Sequence, residues 1–75
     1  MKVKELLKVS TELKIKLRTV KNRKVVSNII ENRGTTALIA LSDYYLNKEV
    51  INIYIDDGGM DKGFMGRTLI INIEE

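Results

Sequence analysis

Strict alternation of apolar and polar positions marks the C-terminal end of the chain. In Val50-Ile51-Asn52-Ile53-Tyr54-Ile55-Asp56 the odd positions 51, 53 and 55 are all isoleucine, and Leu69, Ile71 and Ile73 repeat the pattern over Leu69–Glu74. A strand sends alternate side chains to opposite faces, so each run offers one wholly apolar face. These two faces are expected to form the floor of a core. The first half holds a third run of this kind, where Leu13, Ile15 and Leu17 alternate with Lys14, Lys16 and Arg18. Lys21-Asn22-Arg23 then reads as a hairpin turn, because asparagine tolerates the left-handed backbone that tight turns need. A fourth strand is predicted over Lys24–Ile30. Its adjacent pairs Val25-Val26 and Ile29-Ile30 point to a bulge or to burial on both sides.

Helical spacing appears twice. Val3, Leu6 and Leu7 fall on one face of a helix predicted over Lys2–Val9, with Glu5 in the first turn, where a carboxylate suits the helix N-terminus. Ser10-Thr11 ends it. After the break at Glu31-Asn32-Arg33-Gly34, Thr35 and Thr36 offer N-caps. Ala37, Leu38, Leu41, Tyr44 and Tyr45 then predict a helix over Thr36–Leu46. A strand over Thr35–Leu41 is the competing reading. The order is α-β-β-α-β-β, an α+β fold in one domain, residues 1–75. Its simplest packing is a four-stranded, mainly antiparallel sheet with two short helices on one face. The opposite face would then show Lys14, Lys16, Arg18, Asn52, Tyr54 and Asn72.

Composition narrows the chemistry. The 75 residues include no cysteine, histidine, tryptophan or proline. No disulfide is available, and the commonest general acid/base and transition-metal ligand is missing. Ser10, Ser27, Ser42 and the tyrosines have no histidine to activate them, so a non-enzymatic protein without a cofactor is expected. No apolar run follows the first lysines and no 18-residue apolar span exists. The expectation is a cytoplasmic protein that does not cross a membrane. A domain this small often gains stability by pairing, so a homodimer is a further expectation. The net charge of +3 is unevenly spread: residues 1–34 carry ten Lys/Arg against three Asp/Glu, and residues 35–75 three against seven. Such polarity favours a charged partner or a second copy.

Two stretches carry candidate sites. The segment from Asp56 to Arg67 has three aspartates, but their spacing fails the EF-hand template, and its glycines lack the phosphate-loop spacing. No metal site is assigned. One reading makes it a hairpin loop whose Met60, Phe64 and Met65 fold back on the core. The other makes Met60, Phe64, Met65 and Arg67 anchors for a protein partner. The second candidate is basic. Lys14, Lys16 and Arg18 share one face of a strand, and Lys21, Arg23 and Lys24 gather at its turn. These six would bind nucleic acid or another anion in a salt-dependent way. Alternatively they guard an edge strand against pairing with other chains.

The opening Val3-Lys4-Glu5-Leu6-Leu7 resembles small α+β proteins encoded by phages and prophages of Gram-positive bacteria. The same holds for Leu46-Asn47-Lys48-Glu49-Val50-x-x-Ile53-x-Ile55-Asp56-Asp57 and for Leu69-x-Ile71-x-Ile73. The basic first strand and the glycine-bearing segment depart from that class. The resemblance implies a phage accessory protein in the host cytoplasm, a binder and inhibitor of a host protein or protein–nucleic acid complex, for example of the anti-CRISPR type. A nucleic-acid-binding module and a self-associating structural protein are the alternatives.

Overall fold

The computed structural model describes residues 1–56 and 67–75. The elements are α1 (Val3–Val9), β1 (Lys14–Lys21), β2 (Lys24–Arg33), α2 (Gly34–Ala40), α3 (Asp43–Leu46), β3 (Val50–Asp56) and β4 (Thr68–Glu74). The strands form one sheet in the order β2-β1-β4-β3. β1 pairs with β2, and β3 with β4, in antiparallel fashion. The two halves join through a parallel β1–β4 pair. The fold is α+β as expected, with a mixed sheet. No described helix is long and apolar enough to cross a membrane.

The core lies between the helices and one face of the two central strands. Ile15 and Leu17 of β1 and Ile71 and Ile73 of β4 are fully buried, as are Val3 and Leu7 of α1 and Ala37 of α2. Leu38 and Leu41 pack partly against this cluster. The alternation in β1 and β4 therefore does what the pattern predicts. The isoleucines of β3 correct it. Ile51, Ile53 and Ile55 remain 51%, 46% and 50% exposed, because β3 is an edge strand beyond the fully buried core. A register shift between Val50 and Asn52 also takes Ile51 out of the alternation.

The β1–β2 turn is tight, with Asn22 and Arg23 at φ 54° and 66°, both in the left-handed region. β2 holds two irregularities against β1, opposite Leu17/Arg18 and Thr19/Val20, which absorb its adjacent apolar pairs. The segment from residue 35 to 41 is helical up to Ala40, but the expected single helix is two. Leu41 adopts ψ 143°, Ser42 stands at the N-cap position of α3, and neither Thr35 nor Thr36 caps α2.

α1 begins as its sequence predicts. The Lys2 backbone N–H donates to Glu5 Oε1 at 2.9 Å. That hydrogen bond, together with the nearby α-amino group, Lys2 and Lys4, holds the Glu5 carboxyl below its ordinary pKa. A depressed folded-state value means that the contribution is present above the unfolded pKa and is lost as pH falls through the folded one. The stability gap between the protein and Glu5→Ala is therefore expected to close as pH drops from about 5 to about 3. Urea denaturation at several pH values checks it, and a gap that widens in acid would contradict the assignment.

Candidate nucleic-acid interface

The three described helices lie on one side of the sheet, and no described helix covers the other. Register fixes what stands there: Lys14, Lys16, Arg18 and Val20 from β1, Thr68, Ile70, Asn72 and Glu74 from β4, Asn52, Tyr54 and Asp56 from β3, and Val25, Asn28, Glu31 and Arg33 from β2. The six residues expected on this face are all on it. Ile70 is an apolar residue among these polar ones. It is 3% exposed yet lies outside the core cluster, because its cross-strand neighbours on the open face are Lys16 and Tyr54. The stem of a lysine and a tyrosine ring are well suited to cover it.

The middle of the face is a hydrogen-bonded chain across three strands. Arg18 Nε donates to Asn72 Oδ1 at 3.0 Å, and Arg18 Nη2 donates to Tyr54 Oη at 2.7 Å. Asn72 Nδ2 donates in turn to Asn52 Oδ1 at 2.7 Å. The guanidinium carbon also lies 5.6 Å from the Tyr54 ring centroid, within cation–π range. Asn72 is 6% exposed and Tyr54 48%, so the amide is fixed beneath and the ring stands in solvent. An arginine so held presents a planar cation beside an aromatic face in one defined orientation.

Charge on this face is graded. Lys14 and Lys16 lie over the β1–β2 side. Lys14 meets Glu31 at 3.9 Å, an exposed pair that contributes little. Towards the hairpin a groove of about 390 Å³ opens, lined among others by Arg18, Lys21, Arg23, Ile51, Asn52 and Asn72. Lys24 pairs with Lys21 at the base of the turn and does not line that groove. Arg67 lies at the opposite end of β1, lining a cleft with Lys14, Arg33, Glu12 and Glu31. The structure thus places Lys14, Lys16 and Arg18 on the open face, sets Lys21 and Arg23 on the groove at its hairpin end, and brings Arg67 to its far end. Met60, Phe64 and Met65, the remaining partner-binding candidates, lie outside the described residues.

One expectation about the basic strand is overturned. The sequence admits two readings of Lys14, Lys16 and Arg18, an anion-binding stripe or the guard of a sheet edge. β1 pairs on both sides, with β2 and with β4, so it has no edge to guard. Compared with protein-family models, with curated proteins and with solved structures, the chain shows no match.

Proposed function

We propose that this chain is a non-enzymatic binding module that takes single-stranded nucleic acid on the open face of its sheet. The observation that carries the reading is the position of the basic strand. Three cations on an interior strand project from the middle of an exposed sheet surface. Phosphates would run over Lys14, Lys16, Lys21 and Arg23, and a base would stack on Tyr54 beside the Arg18 guanidinium. Base–aromatic stacking beside a basic groove is how sequence-tolerant single-strand binders work. Duplex readers insert a helix or ribbon into a groove, whereas the helices here pack against the other side of the sheet. An inhibitor of a host protein is what the phage-protein resemblance implies, and its candidate anchors Met60, Phe64 and Met65 lie outside the described residues, so the face with described geometry carries the proposal.

Fluorescence anisotropy with a labelled single-stranded oligonucleotide tests it. Three to four phosphate contacts predict a slope of log K against log salt of roughly −2 to −3. The matching duplex should bind more weakly. A flat salt response, or tighter binding to the duplex, would remove single-stranded nucleic acid from the account.

A further inference from the structure

The two edges of the sheet are built differently. β2, at one edge, carries Lys24, Glu31 and Arg33, and its register against β1 shifts twice. Charges and bulges are the devices by which natural sheets keep an edge from pairing with another chain. β3, at the other edge, carries one charged residue, Asp56 at its C-terminal end. Its one irregularity, at Ile51, lies at the end already flanked by the start of the chain. There the Val50 N–H donates to the Met1 carbonyl at 2.8 Å, and Lys2 bridges Glu49. From Asn52 onward the strand is regular against β4, and no described strand flanks its outer side. Ile53, Tyr54 and Ile55 are all about half exposed there. An unguarded edge of β-branched and aromatic residues is a template for another strand.

We propose that β3 is the self-association edge of this protein, two copies pairing β3 with β3 antiparallel about a two-fold axis at Tyr54. A strand that fits this edge must be uncharged over the same span and must set apolar side chains against Ile53 and Ile55. β3 itself meets both conditions over Ile53–Ile55, with Asp56 falling opposite Asn52 at each end of the pair. With Tyr54 opposite Tyr54 of the second copy, Ile53 falls opposite Ile55 on the helix side, and the contact occurs twice. Such cross-strand apolar and aromatic pairs are favourable. β2 of a second copy fits less well, since it would bring charges and two bulges. That pairing would also be head-to-tail and open-ended, whereas β3 with β3 closes at two. The axis stands perpendicular to the sheet, so the helices of both copies lie on one side. The two open faces then become one surface with both Tyr54 rings at its centre. Pairing at the edge does not depend on what the open face binds.

Sedimentation equilibrium of the whole chain, without nucleic acid, is the test. The expected result is a monomer–dimer equilibrium with no larger species. Ile53→Lys combined with Ile55→Lys should weaken it at least about tenfold. Val26→Lys on β2 should leave it unchanged. The chain has no cysteine, so Tyr54→Cys supplies a single thiol. Directly opposed strand residues have Cβ atoms about 4.5–5.5 Å apart, near disulfide range. Mild oxidation should convert Tyr54→Cys, but not Val26→Cys, to a covalent dimer, and this arm decides if the lysine variant fails to fold. A monomer at about 1 mM, a dimer indifferent to the lysine pair, or a Tyr54→Cys dimer that does not cross-link would each overturn the proposal.

Discussion

Gly34→Ala is expected to remove most of the stability of the fold. An alanine Cβ at this position would stand 2.0 Å from the Ser10 carbonyl oxygen and 2.8 Å from its carbon, with Thr11 Cα at 3.0 Å. All three neighbours are backbone, so no side chain can rotate away. The approach is close because α2 is laced to the α1–β1 connection at its first residues. Gly34 N–H donates to Leu13 O at 2.9 Å, and Thr35 uses both its N–H and its hydroxyl on Thr11 O. Two effects favour alanine. It is the better helix residue by about 1 kcal/mol, and it lowers the entropy of the unfolded chain by about 0.4–1 kcal/mol. Overpacking commonly costs about 1–3 kcal/mol, and a carbon 2.0 Å from a fixed backbone oxygen goes beyond that range, to about 4–5 kcal/mol. Against a total of roughly 3–5 kcal/mol for a domain of this size, the steric term wins. Urea denaturation should show the midpoint falling by half or more. Thr36→Ala, exposed two residues on, should shift it little. An unchanged midpoint for Gly34→Ala would mean that α2 does not approach the Ser10–Thr11 connection as described.

How far the sequence reveals this fold depends on which physical question is asked. Alternation reports that a segment is a strand, and it does so for β1, β3 and β4 alike. It does not report the strand's place in the sheet. Ile53 and Ile71 occupy equivalent positions in equally regular patterns, and they are cross-strand neighbours. Ile71 is nevertheless fully buried and Ile53 nearly half exposed. Burial is decided by which strands the helices cover, and that follows from the parallel β1–β4 pairing between segments some fifty residues apart. No local spacing encodes it. The same pairing decides the meaning of the lysines: on an edge strand they would repel other chains, and on an interior strand they populate a surface. The break between α2 and α3 is equally hidden, because Leu38, Leu41 and Tyr45 satisfy a helical period on either side of it. The open face was legible residue by residue, since alternation alone places Arg18, Asn52, Tyr54 and Asn72 there. Their union into one hydrogen-bonded chain was not, since it requires the register across β1, β4 and β3.

That union leads to the largest expected effect on binding. Tyr54→Ala should weaken single-strand affinity by about 5- to 150-fold, the range for losing one stacked base. Tyr54→Phe keeps the ring and loses only the hydroxyl that accepts from Arg18, so it should stay within a few-fold of the native protein. Arg18 separates charge from geometry. Arg18→Gln removes one cation from beside the bound strand and should reduce the affinity together with the magnitude of the salt slope, the latter by up to about 0.7. Arg18→Lys keeps the charge but cannot hold both the Asn72 amide oxygen and the Tyr54 hydroxyl with a planar fork. It should therefore retain the slope while losing affinity. Anisotropy titrations across a salt series read both quantities, and circular dichroism and sedimentation on the same variants keep folding and association apart from binding. If Tyr54→Ala binds as tightly as the native protein, no base stacks at the centre of the sheet. If Arg18→Lys keeps both the slope and the affinity of the native protein, the arginine acts as a point charge and the hydrogen-bonded chain around it serves only the fold.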